Sequence, residues 1–318
     1  MLRCYGVDTQ SRVHSLPALC RLRISSGADT PADSLRLLLY GLYEEEFTGV
    51  YVYSNEKLVF SAVVDEQIAK VDDNSTTELI CRSRAGVLLD NEARPRNFVN
   101  PSCEVLFRAF AQPLGFDRFE GENKAFQGEY SVSKGVSCYE VLDTFSKSVY
   151  GKPLKVTDDA VCFGFKNEGS ELYFSDDGKG LPFTDFTHTR LRHRQISKIH
   201  LKLKEGEDYT AWIQDENAEN IGIIRQRYMD VSYKSGQSVT DAKDAINKGI
   251  ARSREISLVY PGVLTDVVSS PAKVRVQGRV YEGYEVKNLE YTYDNDTSQT
   301  RLTLSRKENM DVDYFLSG

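Results

Sequence analysis

The chain has 318 residues, 40% of them hydrophobic and 27% charged, and its 47 acidic against 40 basic side chains give a net charge of −7. That length suits two or three domains, each large enough to bury a core. The acidic balance excludes a protein that grips nucleic acid through a broad basic face, and no stretch approaches the roughly 20 apolar residues of a helical membrane span. The opening Met1-Leu2-Arg3-Cys4-Tyr5-Gly6-Val7-Asp8 lacks the apolar run and cleavage site of a secretory signal, so folding in the cytoplasm is expected. Six cysteines, Cys4, Cys20, Cys81, Cys103, Cys138 and Cys162, are scattered singly and are expected as buried free thiols.

The first hundred residues read as strands. Leu22 and Ile24 alternate with Arg21 and Arg23, which puts apolar and charged side chains on opposite faces. From Gly49 to Val64, Val50 and Val52 alternate with Tyr51 and Tyr53, Ser54-Asn55-Glu56-Lys57 supplies a turn, and an apolar run resumes at Leu58. This predicts a hairpin. Thr76 to Arg84 predicts a further strand.

Helical spacing then takes over. Asn100 is the expected cap of a helix with Pro101 in its first turn and Val105, Leu106, Ala109 and Phe110 on one face, stopped by Pro113 and Gly115. Ser137 and Glu140 form a capping box before a second helix carrying Val141, Leu142, Phe145 and Val149, closed by Gly151-Lys152-Pro153. A hairpin is expected from Leu154–Thr157 and Ala160–Phe165 around Asp158-Asp159. Residues 169–186, rich in Gly, Ser, Asp and Pro, read as a linker.

Strand patterns return at 196–203, 209–213 and 221–233. A third helix over about 238–254 would be capped by Ser238 or Thr240 and striped by Ala242, Ala245, Ile246, Gly249 and Ile250. Strands are expected at Glu255–Tyr260 and Lys273–Tyr281. A last hairpin would set Leu289, Tyr291 and Tyr293 against Leu302 and Leu304 around Asp294-Asn295-Asp296. The fold class is therefore mainly β with an α+β insert, divided as 1–95, 96–190 and 191–318. A later strand could complete the first module. The pattern fits either a duplicated barrel or one sheet interrupted in sequence.

Several segments resemble one family. Ala32-Asp33-Ser34-Leu35-Arg36-Leu37, Leu58 to Glu66, Ser83 to Ala93 and Gly135 to Leu142 follow one another as do similar segments of phage baseplate hub proteins, the late control protein D group. Thr240 to Pro261 resembles the helix and strand that open that family's second barrel. Ala62 stands where the family commonly has glycine. The resemblance implies two tail-tube-like β-barrel domains around a small middle domain, in a homotrimer that adapts a sixfold tail tube to a threefold spike. It further implies contacts with tube, central spike, other baseplate proteins and tape measure, and a place in a virion or tail-like particle assembled in the bacterial cytoplasm. A channel lined by an acidic protein would let DNA slide through without sticking. The resemblance implies no catalysis and no cofactor. A peripheral wall-binding module or a tail-associated hydrolase is the alternative.

Residue chemistry adds little to this. His188, His193 and His200 lie close in sequence, but their spacing does not converge ligands on a metal. Glu44-Glu45-Glu46 reads as a solvated turn, and nothing sets Asp65-Glu66 and Asp72-Asp73 across a cleft as a glycosidase pair. The basic run Arg190, Arg192 and Arg194, near Lys198, could meet an acidic neighbour in an assembly, with a solvated strand face as the simpler account. Tyrosines on strands, Tyr291 and Tyr293 among them, support a β protein first and a subunit interface second.

Overall fold

The computed structural model describes residues 2–165, 169–202, 208–230, 237–294, 296–307 and 314–316. The chain divides into two compact units: Met1–Gly169 with Tyr260–Ser269 and Asn288–Arg301, and Ser170–Val259 with Ser270–Lys287 and Leu302–Gly318. Both are mainly β.

The first unit opens with β1 (Leu2–Asp8), β2 (Val13–Ser15), β3 (Leu19–Gly27), β4 (Ser34–Tyr40), β5 (Phe47–Ser54), β6 (Lys57–Lys70) and β7 (Thr76–Arg82). They form an antiparallel sheet in the order β3-β4-β7-β6-β5-β1-β2. Residues 288–294 return from late in the chain to pair with β3, setting Tyr291 opposite Ile24. No pairing among the described residues closes this sheet. Strand alternation builds its core: Leu35, Leu37 and Leu39 point inward from β4 while Ser34 and Arg36 are exposed. Leu22, Ile24, Val50, Val52, Leu79, Cys81 and Tyr291 complete the cluster. The predicted hairpin turns on Asn55 and Glu56, both left-handed at φ 48° and 67°, the twist that a two-residue hairpin loop requires. Ala62 lies buried opposite Val50.

An α+β lobe follows: α1 (Ala85–Asp90), β8 (Arg96–Val99), α2 (Cys103–Phe110), β9 (Arg118–Glu120), β10 (Glu129–Val132), α3 (Cys138–Tyr150), β11 (Lys155–Val156) and β12 (Ala160–Cys162). The capping box is present, with Glu140 N–H donating to Ser137 Oγ at 3.1 Å and Ser137 N–H to Glu140 Oε2 at 2.8 Å. Gly151, left-handed at φ 67°, ends α3. The α2 cap differs from expectation. Ser102 accepts from Val105 N–H, whereas Asn100 is left-handed at φ 48° and its side chain accepts from Gly128 N–H, so the turn before the helix claims the residue expected to cap it. β11 and β12 pair as expected, and β12 also pairs parallel with β9, a long-range partnership that local patterning does not encode. Leu106, Phe110, Phe116, Leu142 and Phe145 anchor the lobe's own core.

The second unit holds β13 (Leu172–Ser175), β14 (Phe186–Arg190), β15 (Lys198–Lys202), β16 (Ala211–Gln214), α4 (Glu216–Asn220), β17 (Gln226–Asp230), α5 (Gln237–Arg252), β18 (Arg254–Tyr260), β19 (Pro271–Val276) and the first half of β20 (Arg279–Asp294). β21 (Thr297–Arg306) and β22 (Tyr314–Leu316) follow. The expected linker contains a strand: β13 pairs parallel with β19, and Leu181 N–H donates to Tyr173 O. Gly180 permits that approach, since a Cβ there would sit 2.4 Å from the Tyr173 carbonyl oxygen. The predicted strand at 221–233 shortens to β17 because Asp215 caps α4 just before it, and residues 231–236 lie outside the described set. The predicted strand at 273–281 is two strands joined at Gln277-Gly278, both at positive φ. Ser238 and Thr240 fall inside α5, not at its cap. α5 buries Ala242 and Ile246 against Ile199, Leu201, Ala211 and Ile213 of β15 and β16.

All six cysteines are unpaired, five of them buried and Cys20 half-buried. Among the described residues no helix is long and apolar enough to cross a membrane.

Because Phe145 is fully buried at the centre of the lobe, Phe145→Ala is expected to destabilise it by about 3–5 kcal/mol. Ser137→Ala, which removes half of the capping box, should cost about 1 kcal/mol. Urea denaturation followed by circular dichroism measures both, and equal effects would contradict this core.

Candidate functional site

Two of the family-like segments, Leu58–Glu66 and Ser83–Ala93, meet at one arginine. Arg82, at the end of β7, donates from Nε and Nη2 to Asp65 of β6 at 2.6 and 2.9 Å, and from Nη1 and Nη2 to Asp90 at the end of α1 at 3.1 and 2.6 Å. Each carboxylate is held by two bonds, a geometry that a planar guanidinium supplies and an ammonium cannot. The Arg82 hydrogen bonds hold the Asp90 carboxyl below the usual carboxylate range. Gly86 lies against this side chain, with 3.3 Å between a Cβ position and Arg82 Cζ.

Neighbouring contacts extend the joint into the lobe. Arg84 donates to the carbonyls of Asp158 and Gly115, and its guanidinium carbon lies 4.8 Å from the centre of the Phe116 ring. Ser61 of β6 donates to Asp158 Oδ1 at 2.6 Å. Asp33 and Ser83 are tied through Asp33 N–H to Ser83 Oγ at 3.0 Å and Ser83 N–H to Asp33 O at 2.8 Å. Burial pushes the Asp33 carboxyl up to about 6, the Ser26 hydrogen bond and Lys155 oppose the rise, and Asp266 adds to it.

The residues singled out as possible interface fall in two places. Arg190 closes β14, and Arg192 and Arg194 stand in a 3₁₀ turn instead of the expected extended segment; all three are exposed. Arg190 stands directly opposite Arg254 in the register of β14 and β18, a like-charge pairing that costs stability. His188 beside them is held below its ordinary pKa first by burial and then by Arg190 and Arg254. Arg192 Nη2 donates to Ile221 O at 2.7 Å, beside a depression of about 310 Å³ lined by Arg192, His193, Gly222, Ile223, Ile224 and Arg225. In the first unit, Tyr291 is fully buried and accepts from Ser298 Oγ, so it packs the chain's own core. Tyr293 is half-buried and donates to Asp296 Oδ1.

The remaining candidates stay apart. His188 packs edge-on against Tyr281, His193 is exposed in the 3₁₀ turn, and His200 stacks on Tyr228 with 4.9 Å between ring centres. Among the described residues no group of three or more His, Cys, Asp or Glu could hold a metal ion. Asp65 is engaged by Arg82, while Asp72 and Asp73 lie exposed in the turn after β6. Glu45 sits 3.8 Å from His14 Nδ1. Lys198 Nζ lies 5.6 Å from the centre of the Trp212 ring. The sequence reading missed the Arg82 joint and the isoleucines at the depression. Their signals were present, as an Arg between two Asp-bearing segments and as an apolar pair beside arginines.

This fold is shared by phage tail proteins. The chain is similar to the tail protein from Neisseria meningitidis MC58, with a TM-score of 0.74 at 16% identity over 96% of each chain. It is similar to the 43 kDa tail protein of prophage MuSo2 from Shewanella oneidensis, with a TM-score of 0.76 at 12% identity over 98% of this chain and 99% of that one. It also resembles the E. coli c3393 protein, a component of the type VI secretion system structurally similar to the T4 bacteriophage tail proteins gp27 and gp5. There the TM-score is 0.53 at 8% identity, over 99% of this chain and 79% of that one. No family model matches the sequence. No curated protein matches it.

Two measurements probe the joint. Arg82→Lys should lower stability by about 1–2 kcal/mol, because an ammonium cannot hold both carboxylates bidentately. Asp33 has a folded-state pKa above its ordinary value, so its charge costs stability above pH 6, and that cost fades as the pH falls from about 6 toward 4. Asp33→Asn should therefore be more stable than the native chain by about 1–2 kcal/mol near pH 7.5, with the gap shrinking near pH 4.5. A gap independent of pH in urea titrations would refute the assignment.

Proposed function

We propose that the chain is the structural hub subunit of a phage or phage-tail-like baseplate. In this reading three copies form a ring in which two tube-like β-barrel domains per chain imitate a sixfold tube above and present threefold symmetry to a central spike below. Residues 1–95, completed by a later strand, act as the first tube-like domain, residues 96–190 as the insert and residues 191–318 as the second. The subunit lines the central channel and contacts tail tube, spike and other baseplate proteins, with tape measure as a further neighbour. Assembly takes place in the bacterial cytoplasm. The role is structural and asks for no cofactor and no turnover. The exposed arginines Arg190, Arg192 and Arg194, with Tyr293, serve subunit contacts.

One observation carries this reading: the likeness to phage tail proteins runs over nearly the whole of both chains, both units included. A shared accessory domain would match only part of the length. The match to a secretion component itself similar to tail proteins supports a part common to tube-and-spike machines.

Light scattering on the purified chain is expected to give three times the chain mass, and electron microscopy of particles made with tube and spike proteins should place it as a threefold ring at their junction. A chain that stays monomeric at all concentrations, with no threefold density at that junction, rules the hub reading out.

A further inference from the structure

Two exposed surfaces of the chain are complementary in both charge and apolarity. In the second unit, Ile224 is 88% and Ile221 51% exposed, and they flank the depression beside Arg192. Arg194 and Arg225 have no ion pair among the described residues. Exposed isoleucines beside uncompensated arginines, in a chain whose acidic residues outnumber its basic ones, form a surface suited to a partner with apolar tips and carboxylates.

The first unit carries such a surface. The loop after β4 and the turn between β6 and β7 are tied together, with Gly41 N–H donating to Ser75 O at 2.8 Å and Tyr43 N–H to Thr77 Oγ1 at 3.3 Å. The same two segments carry Val71 at 75% and Leu42 at 50% exposure, together with the exposed Glu44, Glu46, Asp72 and Asp73. The carboxylate of Asp72 accepts from Asn74 N–H, which fixes the turn that displays it.

We infer that the Val71-Asp72-Asp73 turn of one copy, with Leu42 and its neighbouring glutamates, seats on the Ile221, Ile224, Arg194 and Arg225 surface of a second copy of this chain. The two surfaces are different patches on different units, so the contact is head-to-tail. Such contacts form rings when the rotation closes and filaments when it does not. The interface rests on the hub reading above, for which it supplies the joint between neighbouring subunits. Apolar tips provide the buried centre, and the arginine–carboxylate pairs set register and reject like-charged partners.

Charge reversal in the full-length chain tests it. Asp72→Arg with Asp73→Arg, and separately Arg194→Glu with Arg225→Glu, are each expected to reduce the trimer to monomer in light scattering while circular dichroism and thermal unfolding stay native. The chain carrying all four changes should regain the trimer, since the charges are exchanged and not removed. Reversal variants that remain trimeric overturn this interface and leave the hub reading standing, as does a fourfold variant that stays monomeric while folded. A native chain that never self-associates overturns both.

Discussion

The guanidinium of Arg82 is the constraint on which the first unit depends. It binds two carboxylates from different elements, Asp65 on a strand and Asp90 at the end of a helix, each through two hydrogen bonds. Without it, two acidic groups would be left facing each other where the sheet hands the chain to the lobe. Surface ion pairs one at a time contribute little, but a planar donor shared by two acceptors fixes direction as well as distance. Direction is what this junction needs, because Arg84 must then reach the carbonyls of Gly115 and Asp158. The short α1 is too brief to be stable alone and owes its place to this network and to buried Leu88.

Local chemistry was largely legible in the sequence. The 49–64 hairpin and the Ser137–Glu140 box could be read because each is written in adjacent residues, and α5 because its apolar stripe repeats at helical spacing. What could not be read depends on partners distant in the chain. β13 exists because β19 lies alongside it, and its short run Leu172-Tyr173-Phe174 was masked by the Gly- and Asp-rich residues that follow. Asn100 carries the side chain of a cap, but its left-handed backbone and its bond to Gly128 serve a turn instead. The candidate surface was half visible. The arginines stood out as a run, whereas Ile221 and Ile224 looked like strand interior, since exposure is a property of the fold and not of residue type. Tyr291 went the other way, its alternation marking a strand without saying that the tyrosine lies inside.

The distribution of charge follows a division of labour between the units. In the first, arginines are largely spent internally: Arg21 on Asp294, Arg23 on Glu290 and Arg118 on Asp159 and Glu120. In the second, Arg190, Arg192, Arg194 and Arg254 make no ion pair among the described residues; Arg190 and Arg254 stand opposite each other, and after burial they lower the proton affinity of His188. A fold selected for monomer stability alone would exchange one of that pair for an acid. Keeping both leaves a like-charge pair at the end of β14, the outermost strand of its sheet order.

The pairing of β3 with residues 288–294 has a consequence for biosynthesis. A ribosome must reach residues 288–294 before β3 gains the strand that pairs with it. Until then the β3 flank stays raw, with its amides and carbonyls free for chaperones. Products terminated before residue 288 thus lack that strand.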